Sequence, residues 1–298
     1  MIALSLALSL LAQQESPEKI THSFLVCGAE TYIVSGDDSI TRRYPRSTRD
    51  GWVLPDGHLL LAASKGKEYP QGAAVEIDAE GKTVFEFKGT QGEVDTVQPL
   101  SNGNILLTDS GKTPRLIEVD KSGKVVVEVP LRCQTQNTHM ETRMARKLAN
   151  GNYLVPHLLD FIVREYRPDG STAWEFRTPE EPKECWPFTA IRLENGNTLV
   201  NLTHGNRTVE VDPAGKIVWM VTNEDLGAPL FRDPCGAQRL PNGNTVIASY
   251  GQGGKGVKVF EVTREKKVVW TYSSERPGVH QVHVFETNGK PVEGAPHR

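Results

Sequence analysis

The feature that most constrains this chain is a short turn motif that returns at an almost fixed interval. Asn102-Gly103-Asn104 recurs at 150 to 152, 195 to 197 and 242 to 244, with variants Asp56-Gly57-His58 and Asn288-Gly289-Lys290. The spacings between successive copies are 46, 48, 45, 47 and 46 residues. Each copy ends one alternating run and opens another, as in TVQPLSNGNILLTDS and GAQRLPNGNTVIASY. Asn-Gly supplies the positive φ angles of a two-residue hairpin turn, so each copy predicts a hairpin.

A second marker follows about twenty residues later in each unit: GKTVF, GKVVV, GSTAW, GKIVW and KKVVW. It reads as another turn and strand, and its last residue (Phe85, Val127, Trp174, Trp219, Trp270) is mostly aromatic. Four strands per unit result: A before the Asn-Gly, B after it, then C and D. Four antiparallel strands repeating at this period are the signature of a β-propeller blade. Five complete units begin near Arg49, Asp95, Arg143, Phe188 and Cys235. The C-terminal HQVHVFETNG supplies only a strand A, and Ser23–Tyr44 supplies B, C and D. The expectation is therefore an all-β, six-bladed propeller over 20–290, closed by pairing the two chain ends, with 291–298 as a tail. HMETRMARKL, from His139, is the one helix-like stretch, and its place in the repeat makes it loop plus strand.

Residues 1–14, MIALSLALSLLAQQ, are too short an apolar run to cross a bilayer as a helix and read as a cleaved export signal. A periplasmic or extracellular location follows, where Cys27, Cys133, Cys185 and Cys235 could pair; at least one disulfide is expected. Their spacing fits no zinc ribbon. With 34 basic against 37 acidic side chains, no broad nucleic-acid surface is implied. No later stretch is apolar enough to span a membrane, 38% apolar content suits a globular chain, a monomer is expected, and the glycines of SYGQGGKG precede a strand rather than a helix, so no phosphate loop is read.

RLPNGNTVIASYG with VFEVTREKKVVWTY, and RLENGNTLVNLTHG with VEVDPAGKIVWMV, resemble the repeats of arylsulfotransferase-like and pyrroloquinoline-quinone-like propellers. NGNILLTDSGKTPRLIEVDKSGKVV is similar to an NHL repeat. The resemblance spans nearly the whole mature chain and implies the propeller. It rests on turn and packing residues, and it carries over no catalytic residue.

Strand A is innermost in a propeller, so the starts of A and the ends of B surround one mouth of the central channel. That face collects Arg49, Asp50, Glu93, Asp95, His139, Glu141, Arg143, Trp186, Asp233, His280 and His283, joined by Lys65, His157, His204 and Tyr250. The opposite face carries only turns. Three chemistries stay open there. His280-x-x-His283 with His139 or His204 could ligate zinc or copper, although three residues apart on a strand point to opposite sides. Arg49, Arg143 and Lys65 could hold a carboxylate, sulfate or acidic sugar beside a catalytic histidine such as His139, His204 or His283. Trp186 and Tyr250 could stack on a ring, with Asp50, Asp95, Glu141, His157 and His280 completing the wall. The leading expectation is a module binding a small, polar, anionic or aromatic molecule or saccharide. The alternatives are an enzyme, by sulfuryl transfer or metal-assisted hydrolysis or elimination, and a protein-interaction platform.

Overall fold

The computed structural model describes residues 19–298; the expected export signal lies outside the described residues. Six antiparallel sheets follow one another around a ring, each with its strands in the order A-B-C-D. Blade 1 comprises Thr48–Val53, Leu59–Ala63, Ala73–Ile77 and Thr83–Lys88. Blade 2 comprises Glu93–Pro99, Ile105–Ser110, Arg115–Val119 and Val125–Pro130. In blade 3, strand A shrinks to Arg146–Lys147, followed by Tyr153–His157, Ile162–Tyr166 and Thr172–Arg177. Blade 4 is Cys185–Arg192, Thr198–His204, Arg207–Val211 and Ile217–Thr222; blade 5 is Pro234–Arg239, Thr245–Ser249, Val257–Val262 and Val268–Ser273. Blade 6 takes strand A, Val279–Thr287, from the C-terminal part and His22–Gly28, Thr31–Val34 and Ile40–Tyr44 from the N-terminal part. Leu25 pairs with His283 and Val26 with Val282, which closes the ring.

The hairpins form where the motif repeats, but the turn is not the two-residue one. Leu100 N–H donates to Asn104 C=O, Gly103 N–H donates to Leu100 C=O, and only Gly103 has positive φ, at 84°. This is a three-residue loop, a type I turn closed by a left-handed glycine. The Asn before the glycine acts instead through its side chain, Asn102 Oδ1 accepting from Asn104 N–H at 3.1 Å, and Asp56, Asn150, Asn195 and Asn242 repeat that bond. Asn288-Gly289, with φ of 51° and 69°, is the copy that makes the two-residue turn; it leads into a fifth strand, Lys290–Pro291.

Burial follows the blade geometry. Strands A to C are almost wholly buried, while D strands alternate, as in Thr83–Lys88. The core is divided into wedges between neighbouring blades: Trp52, Leu60, Val97 and Leu107 between blades 1 and 2, Val163, Val200 and Leu202 between 3 and 4. The recurring D-strand aromatics belong to this packing. Trp174 Nε1 donates to Pro213 C=O and Trp219 Nε1 to Arg264 C=O, each in the next blade and each at 2.8 Å.

The last residues are not a loose tail. His297 bridges Arg239, and Arg298 is fully buried in the channel, its guanidinium over the Trp52 ring at 4.3 Å. Asp50 answers both Arg298, at 3.3 Å, and Arg146, at 2.8 Å. Burial pushes the Arg298 guanidinium down to about 10.

Candidate functional site

Strand B returns to the face where strand A begins, so the B–C and D–A loops converge on one mouth, and the A–B and C–D turns occupy the other. Blade 3 breaks the repeat on the mouth side. HMETRMARKL lacks alternation, and its first part crosses the channel opening as a loop, with Met144 at φ 40° and Glu141 to Ala145 buried. That loop brings His139, Met140 and Arg143 over the channel, beside Arg49 of blade 1 and His280 of blade 6. The result is a cavity of ≈ 300 Å³ whose further walls are Trp186, Phe188, His204, Asp233 and Tyr250.

One side of this basin is charged. Glu93 is buried; His139 Nδ1 donates to it at 3.0 Å, and the charges of Lys65 Nζ, at 3.3 Å, and Arg49, at 3.6 Å, face it. Burial by itself would raise the Glu93 carboxyl, but the bond from His139 and the charges of Arg143 and Arg49 bring it down to about 2. Two permanent cations therefore share one carboxylate. Below them Arg143 is spent on the protein, facing Asp95 Oδ1 at 3.2 Å and donating to the carbonyls of Thr142 and His139. Burial raises the Asp95 carboxyl, and Ser110 Oγ donates to it at 2.8 Å. Glu141, also raised by burial, accepts from Gly111 N–H at 3.0 Å.

The other side is flat and aromatic. The His280 ring stacks on Tyr250 at 4.4 Å and lies parallel to Phe188 at 6.1 Å. His280 Nε2 is 3.4 Å from Arg49 Nη1, a donor, so His280 accepts there. Burial, then the charges of Arg49 and Arg143, hold its imidazole well below the usual range and keep it neutral. Trp186 packs against His204 at 4.1 Å, and His204 is spanned by Glu184 at 3.1 Å and Asp233 at 3.7 Å. His204, Glu184 and Asp233 all have left-handed backbones, with φ of 57°, 62° and 52°. Such conformations cost on the order of 1–3 kcal/mol each and collect where a loop is held for a purpose.

The structure thus gathers Arg49, His139, Arg143, Trp186, His204, Tyr250 and His280 into one basin, and it sends the other expected residues elsewhere. Asp50 is locked between Arg146 and Arg298 in the channel. His283 lines a different cavity, under the turn face, where its Nδ1 accepts from Val53 N–H at 3.0 Å. His280 and His283 thus line different cavities, as the strand pleat predicts for residues three apart. His157 is buried below the rim. Tyr166 Oη accepts from Arg132 N–H and Arg164, so its own proton goes to His157 Nε2 at 2.8 Å. The other nitrogen of His157 then faces Cys133 Sγ at 3.4 Å, and burial pushes the imidazole down to about 3.

The disulfide expectation is corrected: all four cysteines are free thiols. Burial pushes Cys27 and Cys133 up to about 12 and raises Cys185 and Cys235 as well, so none is an activated nucleophile. Among the described residues, the group best placed for a metal is Asp56, His58 and Glu76 on the turn face. There His58 and Lys121 already neutralise Glu76. Phe188, on strand A of blade 4, and Met140, in the blade 3 loop, were given no role by the sequence reading, because an apolar residue carries no sign of which ligand surface it faces; Glu93, placed on that rim by the sequence, went without a role there.

No protein-family model matches the chain, and neither does any curated protein. Among solved structures, a protein of unknown function from Bacteroides caccae superposes with a TM-score of 0.77 at 23% identity, covering 88% of this chain and 98% of that one. The periplasmic gluconolactonase of Pseudomonas aeruginosa gives 0.59 at 15% identity, with 87% and 84% covered. A catalytically inactive virginiamycin B lyase from Staphylococcus aureus, crystallised with quinupristin, gives 0.57 at 13%, with 86% of each chain covered. At these identities the likeness is one of fold, and the fold is a six-bladed β-propeller.

Proposed function

We propose that the mouth basin binds a small molecule carrying an anionic group and a flat ring. The observation that supports this most directly is the sharing of Glu93: Arg49 and Lys65 have no other carboxylate within salt-bridge distance among the described residues. One carboxylate leaves a positive charge unanswered at the edge of a cavity whose far wall is Tyr250, His280, Phe188 and Trp186. A carboxylate or sulfate is the group that a guanidinium recognises best, and a ring attached to it reaches the stacked wall. The volume suits a ligand of one ring.

The test is calorimetry and thermal denaturation with benzoate and 4-nitrophenyl sulfate as anionic ring probes and glucose as a neutral ring. Both anions are expected to bind and to raise the melting temperature, and glucose to do neither. Arg49→Gln should cost about 1.5–3 kcal/mol of binding, the worth of a hydrogen bond to a charged group. Equal binding of glucose, or unchanged anion affinity in Arg49→Gln, would overturn the reading.

A further inference from the structure

The histidines of the basin differ in what their ring nitrogens are doing. His204 has one nitrogen toward Glu184 and the other toward Asp233. His280 has Nε2 against the Arg49 guanidinium, and its Nδ1 is buried without a partner. His139 is arranged differently. Its Nδ1 lies 3.0 and 3.1 Å from the two oxygens of Glu93, and a carboxylate only accepts, so the proton of the neutral ring sits on Nδ1. Nε2 then carries the lone pair, has no partner among the described residues, and belongs to a half-exposed ring lining the basin. A carboxylate that fixes the tautomer of an imidazole while its other nitrogen faces a cavity is the arrangement of a general base.

The position of that base relative to Arg49 narrows the chemistry. Arg49 Nη2 is 3.3 Å from His139 Nδ1 and both residues line the basin, so an anion seated on Arg49 lies beside the imidazole ring. We infer that the basin is catalytic toward ring-bearing carboxylic acids, with His139 removing a proton from the carbon next to the carboxylate and Glu93 positioning His139. This rests on the anionic-ligand reading above.

In the step, the C–H bond breaks, its proton goes to His139 Nε2, and its electron pair enters the carboxylate, giving an enediolate. Arg49, which lines the basin, holds the second negative charge. Return of a proton from His139 to the same carbon restores the acid, so no oxidant, reductant or co-reactant is consumed. A positioned base of this kind contributes about 10²–10⁴-fold.

The probe is mandelate, whose hydrogen next to the carboxylate is also benzylic and so among the more acidic of its class. Each enantiomer is incubated in D₂O with the full-length protein, the loss of that hydrogen is followed by proton NMR, and binding is measured on the same samples by calorimetry. The wild type is expected to catalyse exchange, and His139→Gln to lower it about 100-fold or more with the Kd for mandelate little changed. Glu93→Gln should lower the exchange rate constant without raising KM. It should also slow acylation of His139 by diethylpyrocarbonate, read by mass spectrometry; an unchanged rate would overturn the positioning role. Mandelate that binds but does not exchange, or exchange that survives His139→Gln, would overturn the catalytic inference and leave the ligand reading standing. Failure of mandelate, benzoate and 4-nitrophenyl sulfate alike to bind would overturn the reading beneath it.

Discussion

The two faces of the ring are built from the same repeat yet solve their polar problem in opposite ways. On the turn face the answer is periodic. Strand C of each of blades 1 to 5 buries a glutamate: Glu76, Glu118, Glu165, Glu210 and Glu261. Within its own blade the partner is often the third residue of the turn motif, Asn152 for Glu165, Asn197 for Glu210 and Asn244 for Glu261. The next blade then supplies a basic group: Lys121, Lys147, Arg192, Arg239 and His22 in turn. The Asn-Gly-Asn motif is thus both a turn and half of a clasp between blades.

On the mouth face nothing repeats. Arg49, Lys65 and His139 converge on the single carboxylate of Glu93, no other blade repeats that cluster, and six of the face's residues outside glycine take positive φ. The periodic face holds the ring together, and the face that departs from the period holds the groups left over for chemistry.

The comparison breaks most visibly if its two ends cost the same to damage. Glu210→Ala leaves Asn197 and Arg239 without their buried partner and is expected to destabilise by about 3–5 kcal/mol in urea denaturation. Glu184→Ala, on the mouth and largely exposed, should cost no more than about 1 kcal/mol. Equal losses would mean that the mouth is as structural as the clasp.

A second test uses acid. His157, buried beside the rim, has its imidazole pushed from 6.5 to about 3 by burial. In the unfolded chain it takes a proton below pH 6.5, while the folded form resists, so the unfolded state binds more protons in that window. Stability should therefore be whole above pH 6.5 and fall by a few kcal/mol as pH drops toward 3. His280 and His283, both held neutral by burial, add to the same limb. Urea melts from pH 8 to pH 4 should flatten in His157→Gln; a slope unchanged by the substitution would assign the limb to other groups.

A smaller effect is expected at a turn. A Cβ on Gly103 would meet no atom within 4 Å, so only its φ of 84° opposes alanine. Gly103→Ala should cost about 1–2 kcal/mol, the penalty of the left-handed region for a residue with a side chain. A negligible change in melting temperature would show that the turn adapts. The smallest loss belongs to Arg49→Gln, whose effect on stability should stay within about 0.5 kcal/mol while anion binding falls.

Most of the fold was legible in the sequence, because turns and alternation are local. Asn102-Gly103-Asn104 and its copies marked the hairpins even though, in all but Asn288-Gly289, the glycine alone takes the positive φ. The strand C glutamates were equally periodic, in IEVD, REYR, VEVD and FEVT, and they were open to the same reading. The basin was legible only as a face. Arg49 and Asp50 are adjacent in sequence, yet one faces the mouth and the other is sealed in the channel.

What the sequence by itself determined is the blade count, the order of strands and the closure, since each follows from period-two patterning and turn chemistry within one unit. Tertiary structure decided which rim residues remain free. A register shift between Thr48 and Gly51 sets which of Arg49 and Asp50 looks outward, the pleat parts His280 from His283, and a channel crossing by Arg298 takes Asp50 out of play. The pleat could be read locally, but the Asp50–Arg298 contact joins residues at opposite ends of the chain, and no local pattern encodes it.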